Sequence, residues 1–316
     1  MIYTLTLNPA LDITIAADVI KKDSINKTKL GSVSAGGKGF NTSRGLNCLK
    51  TGNIAIAFCG GLFGDDMKKI LEEEEIRTRL IPIKDSIRVN VKVVEKESKK
   101  IIELKEKVPL IQQDEMDSLV SILQKLKPKP EYFVISGSLP DKTDVRTYKR
   151  IIEILKTDKI ITFLDASGPA LYHGMLALPD IIKINKYEFL EVCEKYFKIK
   201  QEELVADLLD KGINIIMITD GPNDIIYFDK TGTYSITPSS ISGPYITGAG
   251  DSVNAGLIYG LIKNYTIEKK LKFATACGNA NILSTTPGKF EMKMVNRILP
   301  DIKVKKISSK SCIISF

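Results

Sequence analysis

Short apolar runs that end in a polar residue or a glycine recur along this chain and alternate with amphipathic helical segments. The runs are rich in β-branched residues and lie at 2–7, 54–60, 132–137, 160–165, 180–185, 214–220 and 224–229. Helical periodicity marks 65–75, 112–127, 144–157, 187–197 and 201–211. Near-continuous apolar strands that alternate with helices are typical of a parallel sheet covered on both faces. The sequence therefore predicts an α/β fold with a mostly parallel central sheet.

The polar residues that close these strands are the first candidates for a functional site. In open parallel sheets, ligands bind just outside the carboxyl ends of the strands. The residues that close the predicted strands are Asn8, Gly60, Ser136, Asp165, Asn185 and Asp220. We expect the functional site to lie at this end of the sheet.

Two other segments alternate apolar and polar side chains with a period of two. They cover residues 12–34, with Ile13 and Ile15, and residues 86–108, with Val89 and Val91. This period indicates half-exposed strands rather than fully buried ones. We predict that the two segments form a small antiparallel β-sheet outside the main sheet, which we call the lid.

Composition and charge exclude several classes of protein. No apolar run approaches the roughly 20 residues of a membrane helix, and the first residues lack the basic segment and cleavage site of a signal peptide. An odd, dispersed set of cysteines indicates reduced thiols in the cytoplasm: Cys48, Cys59, Cys193, Cys277 and Cys312. The formal charge of +8 comes from lysines spread along the chain, which favours a small anionic substrate over nucleic acid. We therefore predict a cytoplasmic protein that binds neither nucleic acid nor membrane.

The segment Thr247-Gly248-Ala249-Gly250-Asp251 opens a helical run and carries the strongest chemical signal. Two glycines allow backbone N–H groups to turn inward at a helix N-terminus, where they bind anionic oxygens. A carboxylate beside that anion can accept a proton from a hydroxyl during phosphoryl transfer. The alternative is an ordinary glycine turn in which Asp251 caps the helix.

The segment Ser34-Ala35-Gly36-Gly37-Lys38-Gly39-Phe40-Asn41 contains three glycines within four residues. Such glycines permit close approach of the backbone to a ligand, and Lys38 and Asn41 offer donors to hydroxyls or phosphate. The segment matches neither a phosphate-binding Walker loop nor a dinucleotide fingerprint. The alternative is a flexible hinge.

Asn185 and Glu188 lie three residues apart where a predicted strand gives way to a helix. This spacing places both side chains on one face, where their oxygens suit Mg²⁺. The alternative is a capping box in which Glu188 satisfies backbone amides at the start of the helix.

Taken in order, these motifs resemble the ribokinase-like phosphofructokinase B family of sugar kinases. The resemblance runs from Thr-Leu-Asn-Pro-Ala-Leu-Asp (6–12) through the glycine segment, Ser-Gly-Ser-Leu-Pro (136–140) and Asn185/Glu188 to Gly-Ala-Gly-Asp (248–251). Within the family, the chain looks like the branch of 1-phosphofructokinases and tagatose-6-phosphate kinases. The resemblance implies a ribokinase-like fold, ATP and Mg²⁺ as cofactors, and a ketohexose monophosphate as substrate.

The resemblance also implies roles for matching residues. It assigns Asp251 as the base and Gly248, Ala249 and Gly250 as the anion hole. It assigns substrate binding to Asp12, Lys27, Gly36, Gly37, Lys38, Asn41, Arg88, Asn90 and Ser138. Asp12 would hold sugar hydroxyls, whereas Lys27, Arg88 and Asn90 would meet the sugar phosphate. It assigns the ATP site to Lys183, Asn185, Glu188, Thr219, Gly221 and Asn279, with Asn185 and Glu188 holding Mg²⁺ indirectly through water or phosphate.

Three substrates or activities remain open besides phosphorylation of fructose 1-phosphate. They are phosphorylation of tagatose 6-phosphate, phosphorylation of an unphosphorylated sugar or nucleoside, and binding of a sugar phosphate without catalysis. We expect one kinase domain over residues 1–309, with the lid inserted in it, and a tail at 310–316. Because two β-ribbons cannot bury both faces alone, we also expect a homodimer through the apolar face of the lid.

Overall fold

The computed structural model describes residues 1–98, 100–107, 109–241, 243 and 246–307. The predicted end of the domain at residue 309 and the tail at 310–316 lie outside these residues. The strands are β1 (Ile2–Thr6), β2 (Ala10–Ala17), β3 (Lys29–Gly36), β4 (Asn53–Gly60), β5 (Thr78–Ile83), β6 (Arg88–Glu95), β7 (Ile101–Lys105), β8 (Tyr132–Ser136), β9 (Ile161–Asp165), β10 (Ile181–Asn185), β11 (Ile215–Thr219), β12 (Ile225–Asp229), β13 (Gly232–Thr237) and β14 (Lys303–Ile307).

The helices fall between these strands much as the periodicity predicts. They are α1 (Lys38–Cys48), α2 (Gly64–Glu73), α3 (Gln113–Gln124), α4 (Thr147–Thr157), α5 (Gly168–Leu176), α6 (Lys186–Glu191), α7 (Gln201–Asp210), α8 (Ala249–Ile262), α9 (Ile267–Ile282) and α10 (Met292–Ile298). A π-helical turn, Val192–Phe197, continues α6, and a short 3₁₀ turn, Leu299–Asp301, follows α10. No helix in the described part of the chain is long and apolar enough to cross a membrane.

The main sheet has ten strands in the described residues, in the order β14-β13-β12-β11-β10-β9-β8-β1-β4-β5. All neighbours from β11 to β5 pair in parallel. The strands β12, β13 and β14 extend one edge in antiparallel. The predicted mostly parallel sheet is therefore confirmed. The apolar runs did not predict β5, β13 and β14. In β13 and β14, the segments GTYSIT and KVKKI mix polar and apolar residues.

The two faces of the main sheet each support a hydrophobic cluster, because successive side chains of a strand point to opposite faces. In β1, Tyr3 and Leu5 belong to one cluster and Ile2 belongs to the other. The first cluster includes side chains of α2, α3, α4, α5 and α7, among them Met67, Leu119, Ile151, Leu171 and Leu204. The second includes side chains of α1, α8, α9 and α10, among them Leu46, Leu257, Ala274 and Val295.

Close packing against α9 fixes α8, the helix that begins at the Gly-Ala-Gly-Asp segment. A Cβ on Gly256 would lie 2.8 Å from Cα of Ala274 and 3.1 Å from Sγ of Cys277. A larger residue would therefore push the two helices apart. This close contact with α9 fixes the position of α8 beside the sheet.

The lid is a separate four-stranded sheet in the order β3-β2-β6-β7. Its outer pairs are antiparallel, as predicted, while the central pair of β2 and β6 is parallel. Asp12 pairs with Asn90 and Ser34, so these residues share one face. Residues one position further along, including Ile13 and Val91, share the opposite face. The lid therefore has a polar face and an apolar face.

Candidate active site

A cleft of about 600 Å³ lies between the lid and the carboxyl ends of the parallel strands. Thr6 at the end of β1, Asn8 just beyond it, and Ser136 at the end of β8 contribute to its wall. Twelve of the residues predicted from sequence also line it: Asp12, Gly37, Lys38, Asn41, Arg88, Asn90, Ser138, Lys183, Glu188, Gly248, Gly250 and Asp251. Residues from separate segments of the sequence therefore meet in one cleft at this end of the sheet, and their roles in binding stay predictions.

The remaining predicted residues lie outside the wall of this cleft. Gly36 and Ala249 are chain neighbours of wall residues, and Asn185 precedes α6. Lys27 is exposed on the connection between β2 and β3. Their assigned roles stay predictions.

The predicted nucleotide residues near β11 and in α9 also lie apart from the cleft wall. Thr219 donates from Oγ1 to the carbonyl of Ile184 at 3.5 Å. Gly221 follows in a turn with a positive φ of 56°. Asn279 donates from Nδ2 to the carbonyl of Ser239 at 2.8 Å. Gly60 and Asp220, two of the strand-closing residues, do not reach the cleft either.

The carboxylate of Asp251 lies in the first turn of α8, just after the glycine turn. Gly248 precedes the helix with φ 87°, and a Cβ there would lie 2.5 Å from the backbone nitrogen of Gly288. Only glycine suits both that backbone conformation and that approach. Asn41 on α1 donates from Nδ2 to Asp251 Oδ2 at 2.8 Å. The N-cap residue of α8 is Gly248 and Asp251 is the third residue of the helix, so the alternative in which Asp251 caps the helix is wrong.

The environment of Asp251 makes it a stronger base than an ordinary aspartate. Burial raises its pKa to about 6, and the neighbouring carboxylate of Asp165 acts in the same direction, while Lys38 and Lys183 oppose them. A catalytic base works best when its pKa lies near the working pH. Asp251 is therefore ionised at neutral pH and still basic enough to accept a proton.

Asp165 organises two lysines beneath the cleft. Its carboxylate is fully buried and accepts hydrogen bonds from Lys38 Nζ at 2.8 Å, Lys183 Nζ at 2.9 Å and Asn254 Nδ2 at 2.8 Å. Burial alone would raise the pKa of Asp165, but Lys183 and Lys38 hold it well below its usual range. The glycine segment is therefore tied at Lys38 to Asp165 at the end of β9.

Arg44 links the far side of Asn41 to two other elements. It is a buried side chain, only 2% exposed, and its NH1 donates to Asn41 Oδ1 at 2.8 Å. Its other nitrogens donate to Glu74 Oε2 at 2.8 Å and to the carbonyl of Ala35 at 2.7 Å. Because Asn41 in turn donates to Asp251, Arg44 orients the amide that holds the Asp251 carboxylate.

The lid joins the cleft through Asp12 and its neighbours. Asn90 donates from Nδ2 to Asp12 Oδ1 at 2.7 Å, and Arg88 donates to the carbonyl of Asn8 at 3.5 Å. A Cβ on Gly36 would lie 2.0 Å from Asp12 Oδ2, so a larger residue there would displace this carboxylate. Burial raises the pKa of Asp12, although Asn90 and Arg88 oppose the shift.

Asn185 and Glu188 form the capping box that the sequence left as an alternative. Asn185 Oδ1 accepts from the Glu188 N–H at 2.9 Å, and Glu188 Oε2 accepts from the Asn185 N–H at 3.1 Å. Glu188 nevertheless lines the cleft, and burial raises its pKa. No group of three or more His, Cys, Asp or Glu in the described residues could hold a metal ion directly. The assignment of Asn185 and Glu188 as indirect Mg²⁺ ligands, through water or phosphate, stays a prediction.

Sequence reasoning missed Arg44 and Asn254, although a local signal was present. Arg44 follows Asn41 by three residues on α1, and Asn254 follows Asp251 by three residues on α8. Residues with this spacing share a helix face. A search of that face for polar side chains beside each candidate would have found both.

A buried carboxylate beside a glycine turn at a helix start, with Lys38 on α1 and Lys183 on β10 paired to Asp165, is an arrangement suited to phosphoryl transfer. The sequence profile of the pfkB family carbohydrate kinases matches residues 5–291, and the chain belongs to this family. It is an ATP-dependent carbohydrate kinase.

Individual relatives agree with this assignment. The chain is 27% identical over 309 residues to a 1-phosphofructokinase of Bacillus subtilis, covering 97% of this chain and 100% of the relative. It is 30% identical over 312 residues to a tagatose-6-phosphate kinase of Staphylococcus epidermidis, again covering 97% and 100%. The fold matches phosphofructokinase-2 from Escherichia coli in complex with potassium, with a TM-score of 0.86, 22% identity, and coverage of 95% and 98%. The predicted ribokinase-like fold is confirmed.

Proposed function

We propose that this kinase phosphorylates a ketohexose monophosphate, and that its substrate is fructose 1-phosphate and its product fructose 1,6-bisphosphate. The observation that carries the proposal is the set of cations along the cleft, namely Lys38, Arg88 and Lys92. Charge-assisted hydrogen bonds make such a set suitable for a phosphate dianion. The names of the two relatives, which both act on ketohexose phosphates, support the same substrate class.

The chemistry follows from the residues at the start of α8. The carboxylate of Asp251 accepts the proton of the sugar hydroxyl while the hydroxyl oxygen attacks the γ-phosphorus of ATP. The bond between that phosphorus and the bridging oxygen breaks, and ADP leaves with the bond electrons. Backbone N–H groups at Gly248, Ala249 and Gly250 face the transferring phosphoryl group, where they offset its negative charge.

The triphosphate of ATP would lie along Lys183 and Glu188. Lys183 is 6% exposed, and a Cβ on Gly250 would lie 2.7 Å from its Nζ, so its charge is next to the anion hole. Mg²⁺ supplies charge neutralisation between the phosphates when it is bound. The cap uses one carboxylate oxygen of Glu188, and the other can hold a water of the ion. Thr219, Gly221 and Asn279 remain our candidates for the rest of the nucleotide site.

Three alternatives predict different outcomes in one assay. ATP turnover is measured with fructose 1-phosphate, tagatose 6-phosphate, fructose and a nucleoside. We expect the highest kcat/KM with fructose 1-phosphate. Preference for tagatose 6-phosphate would change only the identity of the sugar phosphate. Preference for fructose or the nucleoside would contradict the proposal that the enzyme is a phosphosugar kinase. Binding without turnover by any of them would favour a regulator.

Asp251→Asn provides the matched control for this assay. It keeps the size of the side chain and an oxygen that can accept from Asn41. Loss of general-base catalysis should lower kcat by about 10² to 10⁴-fold while ATP binding is retained. If the variant keeps more than about a tenth of the turnover, Asp251 is not the base.

We also propose a homodimer through the apolar face of the lid, with a second copy of this chain as the occupant. The face includes Leu30 at 61% exposed, Leu104 at 58%, Ile102 at 44% and Val33 at 39%. Strand pairing places Ile102 beside Val93 and Leu104 beside Val91. A contiguous exposed apolar face of this kind is typical of a protein–protein interaction site. A twofold-related copy would cover it with the same residues.

Light scattering with one variant on each face of β7 tests the dimer. Leu104→Asp places a charge on the apolar face, whereas Ile101→Asp places one on the opposite face of the same strand, at a residue that is 52% exposed. We expect the wild type and Ile101→Asp to have twice the chain mass of 35.0 kDa, and Leu104→Asp to have the single mass. A wild-type monomer across micromolar concentrations contradicts the dimer, and a dimeric Leu104→Asp places the interface elsewhere.

The cytoplasm remains our expectation for the location of this kinase. The four cysteines in the described residues are free thiols, which a reducing compartment preserves. Fractionation of the native cells would test it, with activity in the periplasmic or membrane fraction as the contrary result.

A further inference from the structure

A buried arginine outside the cleft wall fixes the direction of the amide that contacts Asp251. Arg44 on α1 is 2% exposed, and its guanidinium carries only N–H donors. Its NH1 donates to Asn41 Oδ1 at 2.8 Å, so the amide oxygen faces Arg44 and the amide nitrogen faces the other way. There, Asn41 Nδ2 donates to Asp251 Oδ2 at 2.8 Å. A flipped amide would set donor against donor at Arg44 and acceptor against acceptor at Asp251.

Arg44 is itself held in place by a carboxylate and a carbonyl. Its Nε donates to Glu74 Oε2 at 2.8 Å, and its NH2 donates to the carbonyl of Ala35 at 2.7 Å. Glu74 is the one carboxylate that forms an ion pair with Arg44 within the described residues. Because a buried charge without a partner is strongly unfavourable, Glu74 on α2 keeps the guanidinium at this place.

The backbone of Asn41 is fixed by the segment that carries Lys289. A Cβ on Gly288 would lie 2.2 Å from the carbonyl oxygen of Asn41, and a Cβ on Gly248 would lie 2.5 Å from the backbone nitrogen of Gly288. Gly288 thus packs against both α1 and the turn before α8. Since Lys289 pairs with Glu74 at 3.4 Å, this segment is linked to the same carboxylate that holds Arg44.

The hydrogen bond from Asn41 leaves one oxygen of Asp251 for chemistry. The bond occupies Oδ2, and no donor in the described part of the chain reaches Oδ1, while Asp251 lines the cleft. A hydroxyl in the cleft can therefore pass its proton to Oδ1. Burial, and then Asp165, raise the pKa of Asp251. Lys38, Lys183 and the bond from Asn41 lower it, so this bond favours the ionised carboxylate.

We propose that Arg44 and Glu74 are positioning residues for phosphoryl transfer, which act through Asn41 to keep Asp251 ionised and its Oδ1 directed at the substrate hydroxyl. Arg44 lies outside the wall of the cleft and contacts no reacting group. The inference rests on the proposed function for the role of Asp251 as the base. Its consequence is that a residue two hydrogen bonds away from the cleft sets the pH range in which the enzyme works.

The pH dependence of kcat/KM in Arg44→Met tests this role, with the acid midpoint as the readout. The amide of Asn41 is then free to turn away from Asp251, so the midpoint should move to higher pH by about one pH unit. Asn41→Ala removes the donor itself and should cause the same move, and the double variant should move no further. Leu46→Ala is the matched control, since this buried α1 residue lowers stability without touching the network and should leave the midpoint unchanged.

Glu74→Gln provides a milder second variant, because it removes the charge that holds Arg44 but keeps an acceptor oxygen. Its midpoint should move in the same direction by less, whereas Glu73→Gln, at an exposed position of the same helix, should have no effect. An unmoved midpoint in every folded variant of Arg44 and Glu74 overturns the proposal, even if turnover falls. A double variant that shows the sum of both moves means that Arg44 does not act through Asn41, which also overturns it. A wild type that phosphorylates no ketohexose phosphate, or an Asp251→Asn variant with full turnover, instead overturns the proposed function.

Discussion

Replacing Asp251 with asparagine should stabilise the folded protein while removing its activity, and the gain should depend on pH. The pKa of Asp251 is about 6 in the folded protein, against an ordinary value of 3.8, because of burial and then Asp165. Between these pH values the folded state binds more protons than the unfolded chain. The free energy of unfolding of the wild type therefore falls as pH rises through this window. The full loss caused by ionised Asp251 is reached above about pH 6.

The two pKa values set the size of the effect. Their difference corresponds to roughly 3 kcal/mol in the free energy of unfolding at pH 8, and to about 1 kcal/mol at pH 4.5. For a chain of this length, about 3 kcal/mol raises Tm by about 5 °C. The neutral amide of the Asp251→Asn variant does not ionise, so the variant avoids this loss. The difference in free energy of unfolding between the variant and the wild type should therefore shrink about threefold from pH 8 to pH 4.5.

Thermal unfolding of both proteins at pH 8 and pH 4.5 provides the measurement. Asp141→Asn is the matched control, since Asp141 is exposed in a turn and its substitution should change stability by less than about 0.5 kcal/mol at either pH. An advantage of Asp251→Asn that is equal at both pH values would refute the role of ionisation. A variant less stable than the wild type at pH 8 would show that the buried charge is favourable as it stands.

Three further predictions concern the same cleft. The kcat/KM should fall about tenfold per pH unit below about pH 6, as Asp251 takes up a proton, and a flat profile down to pH 5 would contradict its role. Arg44→Met should lower the free energy of unfolding by about 1–3 kcal/mol in chemical denaturation, because it leaves Asn41 Oδ1 and the carbonyl of Ala35 without this donor, while Glu74 keeps Lys289 as a partner; an unchanged midpoint would show that the network adds nothing. Arg88→Ala should raise the KM for the sugar phosphate about ten- to a hundredfold and leave that for ATP unchanged, so an equal rise in both would remove Arg88 from the phosphate site.

The sequence predicted the sheet and the place of the cleft because both depend on local patterns. Apolar runs mark parallel strands that are buried on both faces, and Asn8 and Ser136 close two of them where the cleft forms. The glycine segments were found because a sharp turn beside a ligand needs that residue. Alternation also separated the lid strands from the main sheet, although it could not show that β2 and β6 run parallel.

Contacts between distant segments could not be read from such patterns. Asp165 was marked as a strand end, but nothing local shows that Lys38, 127 residues away, pairs with it. Arginine is a residue type expected at exposed helix positions, and only the tertiary structure buries Arg44 against Glu74. The same limit explains Asn185 and Glu188, because one spacing fits both a capping box and a metal site.

The two borders of the main sheet bear on how the protein behaves at high concentration. Among the described strands, β5 forms one border and contains an exposed proline, Pro82. β14 forms the other border and carries three exposed lysines, Lys303, Lys305 and Lys306. Proline has no N–H to offer an incoming strand, and a row of ammonium groups repels an identical row. Growth of the sheet from molecule to molecule is thereby discouraged at both borders. Chains crowded together in a cell can then remain discrete particles instead of extending into fibrils.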